Sequence, residues 1–269
     1  MRYVCERLKG RAMAPDLGLF DLTDRIALVT GSNAGLGLTI ARGLARAGAR
    51  VVLNGRDEAK LGAAAEALRA DGLAAAGRAF DVTDTRQVDD AIAGIERDVG
   101  PIHILVNNAG IQERMPMTEM TDEAWQRVLD TNLSGAFKVA RAASRGMLAR
   151  GRGKIVNICS LMSEVHRPTI ANYSASKGGL KMLTRAMAVE WGPKGVQANG
   201  IGPGYFATEL TRPLVEDRAF NAWICERTPA GRWGDPEELV GAAIFLSSDA
   251  SDYVNGQVLY VDGGILAGL

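Results

Sequence analysis

The chain has 269 residues, 47% of them hydrophobic and 23% charged, with 31 acidic residues balancing 31 basic ones. This is the composition of a globular protein, long enough for one large α/β domain or two small ones. The charge balance argues against nucleic acid or an anionic membrane as the main partner. Apolar runs stop short of the roughly 18–20 residues of a membrane span. Cys5, Cys159 and Cys225 have neither zinc nor disulfide-framework spacing, which points to a reduced, cytoplasmic compartment. Residues 1–18 read as an N-terminal tail with mixed charges and no apolar core before a cleavage site, and Met13 offers an alternative start.

A first apolar strand at 26–30 precedes Thr30-Gly31-Ser32-Asn33-Ala34-Gly35-Leu36-Gly37, which opens a helix at 36–47. Three glycines at such a turn let the backbone bend tightly and come close to a pyrophosphate. The Gly-x3-Gly-x-Gly spacing is weak by itself; the strand before it and the helix after it strengthen a dinucleotide reading. The second strand, at 50–53, ends in Asn54-Gly55-Arg56, where an NAD-preferring site would place an acid for the ribose 2′-hydroxyl. Arg56 suits a 2′-phosphate there, so NADP(H) is the preferred cofactor and NAD(H) the alternative. The competing reading makes Arg56 a solvated loop cation.

A helix at 58–70 and a strand at 75–80 lead to Asp81-Val82, which either lines an adenine pocket or, through Asp81, caps a helix. After the helix at 86–99, the strand at 102–106 ends in Asn107-Asn108-Ala109-Gly110, at the carboxyl end where open α/β sheets bind ligands. His103 lies inside that apolar run and reads as structural. Helical patterns at 123–129 and 133–149 flank Thr131-Asn132, and a strand at 154–158 leads to Ser160.

Tyr173 and Lys177 are four residues apart on a helix at 173–191, so both side chains share one face. An ammonium beside a phenol favours its ionised form, and the pair is a plausible proton donor and acceptor. A strand at 197–201, a helix at 236–246 and a strand at 258–261 complete the series. The irregular stretch 206–234 is long for a loop and is expected to be a substrate-covering lid with short helices. The alternating order predicts a single-domain, doubly wound (Rossmann) parallel sheet flanked by helices over 19–269. No His/Asp/Glu cluster suggests a metal.

Thr-Gly-x3-Gly-x-Gly, Asn-Asn-Ala-Gly, a Ser thirteen residues before a Tyr, Tyr-x3-Lys and a later Pro-Gly occur in order between residues 30 and 204. Together they resemble the short-chain dehydrogenase/reductase family. Within it, Asn157-Ile158-Cys159-Ser160, the run from Ile201 to Thr208, the run from Arg227 to Gly234 and Phe245-Leu246-Ser247-Ser248 are similar to the gluconate 5-dehydrogenase (5-ketogluconate reductase) branch.

The resemblance implies Tyr173 as general acid/base and Lys177 as its electrostatic partner and a ligand of the nicotinamide ribose. Ser160 would bind the substrate carbonyl. Asn132 would hold a water linking Lys177 to solvent, and Pro203, Gly204 and Thr208 would contact the nicotinamide. Arg114, His166 and Arg167 fall around the expected active-site mouth, where a basic group can bind a sugar-acid carboxylate or stand as an unpaired rim cation.

Two positions depart from the family pattern. Ala34 replaces a basic residue often found in NADP-dependent members, and Glu113 replaces the first of two arginines, putting an anion near the expected carboxylate site. The expectation is an oxidoreductase on D-gluconate and 5-keto-D-gluconate, acting as a homotetramer. The alternatives are another polyol, sugar or 3-oxoacyl substrate, or, in a different class, a catalytically inactive dinucleotide-binding regulator.

Overall fold

The computed structural model describes residues 17–209 and 211–268. The expected tail therefore lies outside the described residues, Cys5 and Met13 included, except for its last two positions. Those two begin a 3-10 turn, Leu17–Phe20, and Phe20 packs its ring 6.4 Å from that of Phe245.

Seven strands follow in chain order: β1 (Ile26–Val29), β2 (Arg50–Gly55), β3 (Ala75–Ala79), β4 (Ile102–Asn107), β5 (Gly153–Ile158), β6 (Val196–Pro203) and β7 (Val258–Val261). All pair in parallel in the order β3-β2-β1-β4-β5-β6-β7. The inner strands are buried along nearly their whole length, as their continuous apolar runs require. β6 runs two residues beyond the expected end because Gly202 and Pro203 continue the ladder opposite Tyr260 and Val261.

The helices are α1 (Gly35–Arg46), α2 (Glu58–Ala70), α3 (Thr85–Asp98), α4 (Asp122–Leu129), α5 (Ala136–Arg150), α6 (Ala171–Trp191), α7 (Arg212–Glu216), α8 (Arg218–Arg227) and α9 (Val240–Ser247). One core joins the sheet to α1, α2 and α9 through Ile40, Leu44, Leu61, Leu68, Leu239 and Leu246. A second core, on the opposite face, joins it to α3, α5 and α6 through Val88, Ile92, Ile95, Val139, Met147 and Met187. Each such aliphatic side chain contributes roughly 1.5–3 kcal/mol when fully buried.

Two helical expectations change in detail. The pattern at 123–129 does continue into 133–149, but through a π-helical turn, Asp130–Gly135. The helix expected at 236–246 begins as a 3-10 turn, Pro236–Leu239, with Asp235 and Glu238 forming a capping box. The strand order reverses between β1 and β4, and the carboxyl ends of these strands meet at the switch point where such sheets bind ligands.

Candidate active site

The glycine turn sits at that switch point. Gly31 has φ +60°, and a Cβ there would lie 2.8 Å from Ala109 Cα. A Cβ on Gly37 would run into Asn108 Nδ2 and lie 2.5 Å from the Gly31 carbonyl oxygen. Side chains from three strand ends brace the turn. Thr30 Oγ1 accepts from the Asn108 and Ala109 amides, both at 3.0 Å. Asn108 Nδ2 donates to the Thr30 and Gly31 carbonyls at 2.9 Å, and Asn54 Oδ1 accepts from the Gly31 amide at 3.1 Å. Ser32 is fully buried and donates to the Val29 carbonyl at 2.7 Å.

Asp57, Asp84, Thr121 and Asp217 cap their helices with side-chain oxygens, whereas α1 starts after Ala34 with no side-chain cap and no acid in its first turn. Its first amides thus stay available for an anion. Above Gly35 a Cβ would meet no atom within 4 Å, so there is open space beside Asn33 and Leu36. The cradle therefore fits a dinucleotide pyrophosphate.

Arg56 and Asp81 project from the ends of β2 and β3. The Arg56 side chain is 77% exposed, with Asp81 Oδ2 3.8 Å from its Nη1. Asp81 accepts from Thr83 N and Oγ1, each at 2.8 Å, and the cap of α3 is Asp84 instead. The helix-cap alternative for Asp81 thus gives way to a turn held beside Arg56. Val82 is buried in the second core, where a Cβ on Gly135 of the π turn would come within 2.9 Å of it. Gly110 lies over Asn132, 3.3 Å from Asn132 Oδ1 to a would-be Cβ.

The first two turns of α6 carry Tyr173 and Lys177. Lys177 is 4% exposed; its Nζ donates to the Ile158 carbonyl at 2.6 Å and lies 5.7 Å from the Tyr173 ring centroid. Ser160 follows the end of β5 and accepts from the Met162 amide at 3.1 Å. Ser163, three residues on, donates to the Lys177 carbonyl at 2.9 Å, tying this turn to α6. Asn132, fully buried in the π turn, accepts from the Ile111 amide (2.8 Å) and donates to the Ile111 carbonyl (2.9 Å) and Ser176 Oγ (3.1 Å). Ser176 in turn donates to the Tyr173 carbonyl at 2.7 Å. Asn132 therefore locks β4's exit loop to α6 and leaves one lone pair on Oδ1. Cys159, between β5 and Ser160, is held inert: burial pushes its thiol up to about 11.

Around the mouth, Glu113 turns away and meets Arg127 on α4 with both oxygens, at 2.8 and 2.7 Å. The anion that threatened a carboxylate site is thereby neutralised. Arg114 bonds only Gln112 Oε1 (3.2 Å) among the described residues, and burial, then the Arg167 guanidinium, push its pKa down. The Met115 amide donates to the Thr169 carbonyl at 3.0 Å, which straps the two arginine-bearing loops together; Thr169 has φ +74°, unusual for a β-branched residue. His166 Nδ1 lies 2.9 Å from Ser174 Oγ.

Pro203 and Gly204 stand at the end of β6, with the Gly204 amide bonded to Val261 O at 2.9 Å. Thr208 is engaged by Thr211, 2.8 Å from amide to Oγ1. Beyond them lies an aromatic cluster that sequence reading missed: Tyr205 just after β6, Phe220 and Trp223 on α8, and Trp233 in the loop that follows α8. Only the richness in aromatics of 206–234 hinted at it. Among the described residues no group of three or more His, Cys, Asp or Glu side chains could hold a metal, and no helix is long and apolar enough to cross a membrane.

Such a parallel sheet, with a glycine cradle at its switch point and a Ser-Tyr-Lys group on the next strand and helix, defines an oxidoreductase of the dinucleotide-binding class. The chain belongs to the short-chain dehydrogenase/reductase family; the family model described as enoyl-(acyl carrier protein) reductase matches residues 31–266. Similarity is high to gluconate 5-dehydrogenase of Gluconobacter oxydans, 57% identical over 95% of this chain and 99% of that protein. The 5-keto-D-gluconate 5-reductase of Escherichia coli is 51% identical over 92% and 98%. A crystal structure of gluconate 5-dehydrogenase from Burkholderia cenocepacia, in complex with NADP and tartrate, superposes with a TM-score of 0.91 at 55% identity over 93% and 98%.

Proposed function

We propose that the protein interconverts D-gluconate and 5-keto-D-gluconate with NADP(H), with NAD(H) as the weaker cofactor. The observation that carries this reading is the pairing of the Ser160, Tyr173 and Lys177 group with an uncompensated arginine pair, Arg114 and Arg167, at its mouth. The similarity to gluconate 5-dehydrogenases supports the substrate.

When bound, NADPH supplies the hydride that reduces the ketone. Ser160 hydrogen-bonds the carbonyl oxygen and stabilises its developing charge. Tyr173 gives that oxygen its proton, and the buried Lys177 ammonium stabilises the phenolate left behind. Lys177 also holds the nicotinamide ribose. The remaining lone pair of Asn132 holds a water through which the proton is replaced from solvent. In the oxidative direction each proton moves the opposite way.

Gly31, Ser32, Asn33, Gly35, Leu36 and Gly37 hold the pyrophosphate side of the cofactor, and Arg56 its 2′-phosphate. Asp81 and Val82 hold the adenine. Asn108, Ala109, Gly110, Pro203, Gly204 and Thr208 hold the nicotinamide half. Arg114, His166 and Arg167 bind the substrate's hydroxyls and carboxylate, and 206–234 closes over them. The protein works in the cytoplasm as a homotetramer. Exposed Phe137 on α5, Met182 and Val189 on α6 and Leu259 on the edge strand β7 support that assembly.

The test is NADPH oxidation with 5-keto-D-gluconate against neutral polyols, ketoses and 3-oxoacyl thioesters. Preferred turnover of one of the latter would sink the substrate assignment.

A further inference from the structure

We infer that Arg167 is a specificity-determining residue whose guanidinium is held by the aromatic side chains of 205–220, so that reading the substrate's negative charge is coupled to the seating of the α7–α8 cover. This inference rests on the sugar-acid reading above and adds to it the unit that recognises the acid.

The carbon at the centre of the Arg167 guanidinium lies 5.0 Å from the Phe220 ring centroid and 5.9 Å from that of Tyr205. Tyr205 leaves the end of β6 next to Gly204, and Phe220 sits on α8, so one ring comes from the entry to the covering segment and the other from its middle. Aromatic stacking engages the flat face of a guanidinium and leaves its N–H donors pointing outward in the plane. Among the described residues Arg167 forms no ion pair within 4.0 Å, while sixteen other cation–carboxylate pairs are present, one of them turning Glu113 away from the same mouth.

A half-buried guanidinium with no ion pair among the described residues, beside a second arginine that also has none, is suited to bind a carboxylate through two hydrogen bonds. The cluster continues outward. Phe220 lies 5.6 Å from Trp223, and Tyr205 lies 5.7 Å from Trp233, whose Nε1 is fixed by Asn221 Oδ1 at 2.7 Å. A carboxylate arriving at Arg167 therefore acts on rings that carry α8, and two tryptophans stand within reach of the change.

Because the NADP⁺ complex would oxidise gluconate, the experiment titrates the NADP⁺-loaded Tyr173→Phe protein, in which turnover is suppressed, with D-gluconate and, in parallel, with its neutral counterpart D-glucitol. Tryptophan fluorescence is followed, and the further substitutions are made in that background. Gluconate is expected to change the signal and glucitol is not. Arg167→Lys keeps the charge but loses the planar fork, and is expected to weaken gluconate about ten- to hundredfold. Phe220→Leu is expected to weaken it about two- to tenfold, while Phe220→Tyr, which keeps the ring, retains affinity.

Equal signals from gluconate and glucitol, no signal from gluconate, or unchanged affinity in Arg167→Lys or Phe220→Leu overturn the inference. Turnover separates this from the functional reading. A wild-type protein that reduces 5-keto-D-gluconate while Arg167→Lys binds gluconate normally leaves the function standing and removes the role of Arg167. A wild-type protein that binds gluconate through Arg167 yet turns over no sugar acid does the reverse.

Discussion

At the scale of single residues the proposed chemistry rests on Lys177 and Tyr173, and burial sets the roles proposed for them apart. Lys177 is almost inaccessible and donates to the Ile158 carbonyl, so its ammonium is fixed where it faces the phenol and cannot wander into solvent. Replacing Tyr173 by Phe removes one oxygen and the proton it carries. We expect kcat to fall about 10²–10⁴-fold, the range for a lost general acid, with NADPH affinity retained in a binding titration. For the proposed cofactor choice the corresponding residue is Arg56. It is exposed, and among the described residues its one ion pair is with Asp81, at 3.8 Å, so little there competes with a 2′-phosphate for it. Arg56→Ala is expected to raise the Kd for NADPH about tenfold or more and to leave NADH nearly unchanged; equal losses for both cofactors would remove the phosphate role.

At the scale of elements, the site depends on clips between segments remote in sequence. Asn132 joins the π turn to the loop after β4 and, through Ser176, to α6. Asn132→Ala leaves an amide, a carbonyl and a hydroxyl without this partner. A loss of about 1–3 kcal/mol in denaturant unfolding is expected, together with a fall in kcat. The pair of Arg232 and Glu238, just before α9, makes a different prediction, one in pH. Hydrogen bonding to Arg232 holds the Glu238 carboxyl at about 2, against an ordinary value of 4.5. A carboxyl depressed on folding stabilises the protein fully above its unfolded value and loses that contribution as pH falls through the folded one. The difference in Tm between wild type and Glu238→Gln should therefore be constant above pH 4.5 and shrink toward zero near pH 2. A difference that does not change across that window would show that the pair adds nothing.

At the scale of the whole molecule, apolar side chains remain exposed on α5, α6 and the edge strand β7. Such surface is unfavourable in water and is covered when copies associate. Light scattering is expected to give four times the chain mass, and Leu259→Glu, which places a charge on the sheet edge, is expected to lower it. A wild-type monomer would leave those faces without an explanation.

Much of this was legible in the chain because its signals are local. Continuous apolar runs mark strands buried on both faces, and a four-residue spacing sets Tyr173 over Lys177 on any helix. Three glycines between a strand and a helix announce a turn that must approach something closely. Sequence by itself therefore determined the fold class and the order of the strands, and it singled out the proposed cofactor cradle and proton-transfer pair. What it could not supply were relations between segments far apart in the chain. Glu113 looked like an obstacle to an acidic substrate until the fold placed Arg127 of α4 against it. Arg167 was either a carboxylate ligand or an unpaired rim cation until the return of α8 set Phe220 beside it. Charge compensation and aromatic stacking are decided by which side chains lie within a few ångströms. Only the tertiary structure brings those distances about, because the entropy of closing such long loops is overcome by the packed sheet and not by any local preference.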